Sequence, residues 1–548
     1  LAEQAALPGL MQERALEIGT LLRRAETMFA HKRVVTGTLT GETTATWGEV
    51  AARARRLSAA LDLLDVPRSA RVGSFAWNTQ RHVELYLGVP SGGRVLHTLN
   101  HRLFADDLRH VLADAADDVV VVDRSLLPTV WTVVAEAPTV RWVVVTDDGA
   151  DTPLPDDPRV LDYEDLIARV PHPAPPSAVR VAEGDAACLC YTSGTTGRPK
   201  GVLYSHRSVV LHALVLLGTD SFAVGERDVI MPVVPMFHVN GWGLPYAAAL
   251  AGATLVLPGP DTAPAALVDR LERHRVTLTA GVPAVWRSLR PLLAGRDLSA
   301  LRLVVSGGSA LPDSLSQAWE RDAGVPITGS WGMTETSPVV AVGRVPTARD
   351  GLAPDERRRL LGQPGPTVPL VDVRVVDPEG RPVLRDGATS GELQVAGPTI
   401  AAGYHGADPA GADSFTADGW LRTGDVATLD ELGTVRIVDR TKDMIKSGGE
   451  WISSVTLENH LMDHPHVLEA AVVGVADERW GERPRAFVVL ADDALDLPDD
   501  LPGIEAALRE HLAGRVASWW VPDRFVVLDR IPRTATGKFS KVALRRHA

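Results

Sequence analysis

At 548 residues, with 45% hydrophobic and 23% charged residues, the chain is too long for one core and far from the composition of a disordered one, so two or more globular domains are expected. A formal net charge of -13 excludes a general nucleic-acid binder, which needs a basic surface to displace the counterions of a phosphate backbone. The only cysteines, Cys188 and Cys190, cannot build a disulfide scaffold or a complete zinc site, and their spacing puts both on one face of a buried strand.

The chain begins Leu1-Ala2-Glu3, with no basic segment leading into an apolar run, so a cytoplasmic protein without a secretory signal is expected. Thr46-Trp47-Gly48-Glu49 has capping-box spacing, and the apolar positions from Val50 to Leu64 recur at helical spacing before a short strand near Val72. The apolar runs Val119 to Val122 and Val140 to Val145 are further candidate units of the same pattern. Residues 229–260 lack Asp, Glu, Lys and Arg, but Pro232, Pro235, Gly241 and Gly252 interrupt them, so buried strands and loops are expected and no transmembrane segment. A helix from Pro264 to His274, strands Val276 to Thr279 and Leu301 to Val305, then a glycine turn and a helix opening at Pro312 complete a layered α/β pattern.

Beyond Arg436-Ile437-Val438 the charged segment Asp439-Arg440-Thr441-Lys442-Asp443 marks a change of texture. A small second domain is predicted after it: helices Val455 to Leu461 and Ile504 to Leu512, and strands Leu468 to Val475, Arg485 to Leu490 and Arg524 to Leu528. The Asp/Pro-rich stretch from Asp492 to Pro502 reads as a solvated loop.

Only six of the 56 basic residues are lysines, and Lys200, Lys442, Lys446 and Lys538 fall in Gly/Ser/Thr-rich segments that suit a compact, flexible point charge. The loop Tyr191-Thr192-Ser193-Gly194-Thr195-Thr196-Gly197-Arg198-Pro199-Lys200-Gly201 follows an apolar run, and its glycines, amides, hydroxyls and lysine can wrap a polyphosphate. It is not a P-loop, since two residues separate Gly197 from Lys200. Trp331 offers a face for stacking adenine or a core side chain, Thr334 a phosphate donor or a helix cap, and Glu335 a hard oxygen for magnesium. Asp425 could accept two ribose hydroxyls, and His238 is either a satisfied core residue or a group beside a carboxylate. His464 and His466 flank Pro465 in a loop and receive no catalytic role.

Taken together, the segments resemble the acyl-adenylate-forming superfamily of acyl-CoA synthetases, adenylation domains and beetle luciferases, over almost the whole chain. The loop above is similar to its phosphate loop, Pro235-Met236-Phe237-His238 to its histidine motif, and Gly329-Ser330-Trp331-Gly332-Met333-Thr334-Glu335-Thr336 to its adenine and magnesium motif, where tyrosine preceded by glycine is usual. Thr423-Gly424-Asp425 resembles the ribose motif, Asp439 to Asp443 the hinge, and Pro532-Arg533-Thr534-Ala535-Thr536-Gly537-Lys538 the terminal lysine motif.

The resemblance implies an adenylate-forming α/β fold: a large multilayer ATP- and acyl-binding domain over 1–439, a hinge over 440–443 centred on Lys442, and a small mobile α+β domain over 444–548 carrying Lys538. It implies ATP, Mg²⁺ and CoA, with Lys538, His238 and Lys200 catalytic. Nucleotide binding falls to Thr192, Ser193, Gly194, Thr195, Thr196, Gly197, Lys200, Trp331, Thr334, Asp425 and Arg440, and the metal to Thr196 and Glu335. Val234 to Trp242 and Ser306 to Ala310 resemble the acyl pocket of medium- and long-chain fatty acyl-CoA synthetases, giving His238, Val239, Trp242, Gly307 and Gly308 to the acid. Lys446, Gly448, Gly449 and Trp451 resemble the loop that meets CoA. The expected partners are a long or bulky apolar carboxylic acid and CoA. Open alternatives are delivery to an acyl-carrier protein, an aromatic, polycyclic or terpenoid acid, a luciferase-like oxygenase, a nonenzymatic acyl-nucleotide sensor, and a homodimer.

Overall fold

The capping box at Thr46 forms as its spacing predicts: Thr46 N–H donates to Glu49 Oε2 at 2.7 Å, Glu49 N–H donates to Thr46 Oγ1 at 3.2 Å, and helix Trp47–Leu63 follows. The computed structural model describes residues 9–170, 179–192, 198–406, 413–491, 500–533 and 539–547. Four sheets organise them.

The run of valines makes strand Asp117–Asp123, which lies between Trp142–Thr146 and the central strand Arg71–Phe75 of a seven-stranded sheet that continues with Val95–Thr98 and Ala186–Tyr191. It is parallel except where Gly201–Ser205 turns back along Ala186–Tyr191. Both cysteines lie buried and reduced on Ala186–Tyr191, as their spacing predicts. An eight-stranded sheet has parallel strands Thr254–Leu257, Val229–Pro232, Leu278–Gly281, Leu303–Ser306 and Ile327–Gly332 side by side. One buried core links the two: Val72, Val119 and Cys188 belong to it with Ile230, Leu255, Leu278 and Val305. A third, antiparallel five-stranded sheet, Gly365–Pro366 to Thr434–Arg440, joins it through Val375, Leu393 and Leu429.

The fourth sheet starts at Ile445–Ser447 and has a core of its own, with Leu457, Val472, Val488, Leu508 and Phe525. Helix Ser454–Met462, strands Val467–Asp477, Gly481–Leu490 and Arg524–Val527 and helix Leu501–Leu512 match the predicted order, giving a small α+β unit after a large α/β one. Part of the expected Asp492-to-Pro502 loop is helix instead: Asp500 Oδ1 accepts from Gly503 N–H at 3.2 Å, and Pro502 sits in the first turn, where a missing N–H costs nothing. Residues 492–499 of that stretch lie outside the described residues. No described helix is long and apolar enough to cross a membrane.

A buried carboxyl in the large unit makes stability depend on pH. Asp123 Oδ2 accepts from Trp77 N–H at 2.7 Å and the Thr146 hydroxyl donates to Oδ1. Burial pushes this carboxyl up to about 7 from its ordinary 3.8, against these hydrogen bonds. The folded state therefore holds the proton more tightly than the unfolded chain, and the stability it contributes is lost as pH rises through about 7. Asp123→Asn should melt above the parent at about pH 8 and lose that advantage toward about pH 5; parallel melting curves that keep one spacing at both pH values would refute this.

Candidate active site

Four adjacent parallel strands end at one place, as open α/β sheets place ligands beyond the carboxyl ends of their strands. After Pro232, Gly281 and Ser306, and at the end of Ile327–Gly332, the chain lines a single cavity of about 610 Å³. Thr192, leaving Ala186–Tyr191, reaches it from the other large sheet. The cavity gathers Thr192, Lys200, His238, Val239, Trp242, Gly307, Gly308, Thr334, Glu335, Arg440 and Lys442 from the predicted set. Ser193, Gly194, Thr195, Thr196, Gly197 and Lys538 lie outside the described residues.

Thr192 and Lys200 close the neck of the phosphate-type loop: Thr192 N–H donates to Lys200 O at 2.9 Å, and Lys200 N–H to Thr192 Oγ1 at 3.1 Å. Glu335 is buried, and its Oε1 accepts from the Tyr404 hydroxyl at 2.7 Å. Among the described residues Oε2 carries no hydrogen bond and no cluster of three or more His, Cys, Asp or Glu forms a metal cage. One hard carboxylate suits Mg²⁺, which keeps water and substrate phosphate oxygens as its remaining ligands. Thr334 O accepts from the Tyr204 hydroxyl at 2.5 Å, which anchors the segment before Glu335.

Trp331 and Asp425 meet directly. The indole N–H donates to Asp425 Oδ2 at 2.8 Å, Arg440 Nε lies 3.0 Å from Oδ1, and Asp425 is 2% exposed. Adenine-type and ribose-type motifs, 94 residues apart, thus meet through one hydrogen bond; their neighbours Ser330, Gly332 and Gly424 line the cavity, whereas Trp331 and Asp425 themselves stand behind that lining. Lys442 borders the same cavity; burial lowers its pKa, opposed by the neighbouring Asp443 carboxylate.

At the apolar end of the cavity, Asn78 grips the backbone before His238. Its Nδ2 donates to Pro232 O and Val234 O, each at 2.9 Å, and its Oδ1 accepts from Met236 N–H at 2.7 Å. After His238 five consecutive residues hold positive φ: Val239 43°, Asn240 37°, Gly241 56°, Trp242 55° and Gly243 71°. Three of them are not glycine, a conformation that persists only when its surroundings over-determine it. Here Asn240 Oδ1 accepts from Thr98 Oγ1 at 3.1 Å and Cys190 Sγ at 2.6 Å. The turn lays Trp242, 6% exposed, against Gly307, where an added Cβ would come within 2.7 Å of the indole ring. Val233, Leu267, Val282 and Val285 give this end its apolar lining.

Lys446, Gly448, Gly449 and Trp451 are not brought to the cavity. They occupy the hairpin Ile445–Ser447 and Glu450–Ile452, where Lys446 Nζ lies 5.5 Å from the Trp451 ring centroid and Trp451 is 52% exposed. Trp480, which sequence reasoning missed, joins this face by accepting from Gly448 N–H at 2.8 Å. A different face of the small unit meets the large one: Glu469 binds Arg533 and lies 3.6 Å from Arg287, on the helix Pro283–Leu289 whose Val285 lines the cavity. Asn78 and Tyr404 were also missed, since neither stands in a segment with a local chemical signature.

The AMP-binding enzyme family profile matches residues 22–405, and the AMP-binding enzyme C-terminal domain profile matches residues 456–538. The chain is 46% identical over 545 residues to a long-chain-fatty-acid–CoA ligase of Thermus thermophilus, covering 98% of this chain and 97% of that one. It is 40% identical over 545 residues to a 3-methylmercaptopropionyl-CoA ligase of Ruegeria lacuscaerulensis, covering 98% of each. The anthranilate CoA ligase AuaEII in complex with anthranoyl-AMP superposes with a TM-score of 0.84 at 26% identity, covering 97% of each chain.

Proposed function

The chain belongs to the AMP-binding enzyme family, and from that premise we propose that it is an AMP-forming acyl-CoA ligase for a long or bulky apolar carboxylic acid. The observation that carries this reading is the single cavity running from Lys200, Thr334 and Glu335 to the apolar lining around Trp242 and Val285. A polyphosphate end and an apolar end in one space are what joining an apolar acid to a nucleotide requires.

In the first step a carboxylate oxygen attacks the α-phosphorus of ATP, the α–β bond breaks and pyrophosphate leaves. In the second the CoA thiolate attacks the acyl carbon and AMP leaves. Asp425, held by Trp331 and Arg440, presents carboxylate oxygens to the ribose, with adenine against Trp331. Thr192, Lys200 and the loop residues Ser193 to Gly197 hold the phosphates, and Thr334 donates to them. Glu335 and Thr196 would hold Mg²⁺, which supplies charge neutralisation on the phosphates. His238 stands at the junction of acid and phosphate, with Val239, Trp242, Gly307 and Gly308 around the acyl group. We place the large domain at 1–439, the hinge at 440–443 and the small domain at 444–548. Lys446, Gly448, Gly449 and Trp451 then serve CoA after the small domain turns, consistent with an exposed aromatic and cationic face.

Carboxylate-dependent exchange between ATP and labelled pyrophosphate, without CoA, tests the first step; ADP and inorganic phosphate as products would sink the reading. Supplying CoA or an acyl-carrier protein as the only acceptor identifies the second substrate.

The acyl end is tested by a graded series of acids. Each buried methylene contributes at most ~0.8 kcal/mol, so kcat/KM should climb up to roughly fourfold per methylene until the pocket is full. Gly307→Val would drive the Trp242 ring from its place, and should lower kcat/KM for the largest acid accepted by about tenfold or more while sparing shorter ones. An unchanged length profile in the variant would remove Trp242 from the specificity pocket, and a maximum for a polycyclic acid would keep the reaction but replace the fatty acid.

A further inference from the structure

The segment leaving strand Ser390–Ala396 lies as a strap across two parts of the site. Ala401 N–H donates to Glu335 O at 2.8 Å, and His405 N–H donates to Gly201 O at 2.7 Å, next to Lys200. Between these anchors stands Tyr404, a cavity-lining side chain. Its hydroxyl donates to Glu335 Oε1 at 2.7 Å, its ring centroid lies 5.0 Å from Lys200 Nζ, and Phe415 packs edge-on against it at 6.1 Å.

One side chain therefore touches Glu335 and Lys200, two of the charged groups lining the cavity, in two chemically different ways. A phenol donates a single hydrogen bond, which selects one carboxylate rotamer and engages one of its two oxygens. The face of the same ring carries negative charge density, which attracts an ammonium group without neutralising it as a carboxylate would. We propose that Tyr404 is a positioning residue for adenylation: its hydroxyl sets Glu335 for a divalent cation, and its ring sets the Lys200 ammonium for the phosphates that leave. This rests on the reading of Glu335 as the cation's carboxylate and Lys200 as a phosphate contact. Phenylalanine should fail in the first task and succeed in the second, while leucine should fail in both.

The test is equilibrium binding on the whole enzyme, with Mn²⁺ as the probe, followed by electron paramagnetic resonance in the presence of an α,β-methylene ATP analogue. Tyr404→Phe should weaken Mn²⁺ about 10- to 100-fold, as removing a partner of a metal-binding carboxylate does. Metal-free AMP affinity and the circular dichroism spectrum should stay at parental values. Tyr404→Leu should weaken Mn²⁺ similarly and in addition weaken metal-free pyrophosphate about 3- to 10-fold, a loss that Tyr404→Phe should not show. Unchanged Mn²⁺ affinity in Tyr404→Phe, or equal weakening of Mn²⁺, pyrophosphate and AMP in both variants, would overturn the proposal. Glu335→Gln separates the two levels: if it weakens Mn²⁺ and Tyr404→Phe does not, the role of Tyr404 is wrong. If Glu335→Gln leaves Mn²⁺ binding intact, the assignment of the carboxylate is wrong and this proposal falls with it.

Discussion

Lys538→Ala is expected to slow pyrophosphate release about 10²- to 10³-fold, since an ammonium group aimed at charge developing on a transferring phosphate is worth ~2.7–4 kcal/mol. The described residue Arg533 stands five positions before Lys538 and binds Glu469, which lies 3.6 Å from Arg287 on the helix beside the cavity. CoA attack on supplied acyl-AMP should be largely spared. Lys442→Pro should show the opposite bias. The Lys442 N–H makes no hydrogen bond among the described residues, so proline removes no bond of this arrangement, yet its ring locks φ at the proposed hinge. Pre-steady-state pyrophosphate release and thioester formation from isolated acyl-AMP read the two steps separately. Two folded variants that slow both steps equally would refute domain alternation; two that slow neither would remove both lysines from the mechanism.

Glu335→Gln should lower adenylation about 10²-fold or more and raise the Mg²⁺ concentration needed for half-maximal rate. The substitution is isosteric, and the carbonyl oxygen of the new amide can still accept from the Tyr404 hydroxyl that now binds Glu335 at 2.7 Å, so the fold should survive. Burst-phase pyrophosphate release measured across a Mg²⁺ series decides it. A parental rate and Mg²⁺ dependence in the variant would mean that the carboxylate serves only to anchor the Tyr404 strap.

Much of the fold is legible because its signals are local. Thr46 three residues before Glu49, at the head of a helical apolar pattern, closes its capping box through bonds within four residues, and the four consecutive valines in Val119 to Val122 suit a strand buried on both faces. The same holds for the loop from Thr192 to Lys200, whose neck closes through bonds between residues eight apart. The early start of helix Leu501–Leu512 was also available locally, in Asp500 followed by Pro502, but the acidic, proline-rich composition around it read as a loop.

The sequence by itself determined the order and kind of elements, the division of chemistry into phosphate, adenine, ribose and acyl segments, and the family they resemble, because each rests on residues a few positions apart. Only the tertiary structure decided which of these segments touch. Trp331 and Asp425 are 94 residues apart, Tyr404 and Glu335 69, and Asn78 and Met236 158. Which pairs meet follows from the strand order of the sheets, in which Val229–Pro232 lies between Thr254–Leu257 and Leu278–Gly281, and no periodicity along the chain encodes that order. The left-handed turn from Val239 to Gly243 was hidden for the same reason: its dihedral cost is offset by Thr98 and Cys190 on two neighbouring strands of the other large sheet, contacts that exist only once the two sheets share one core.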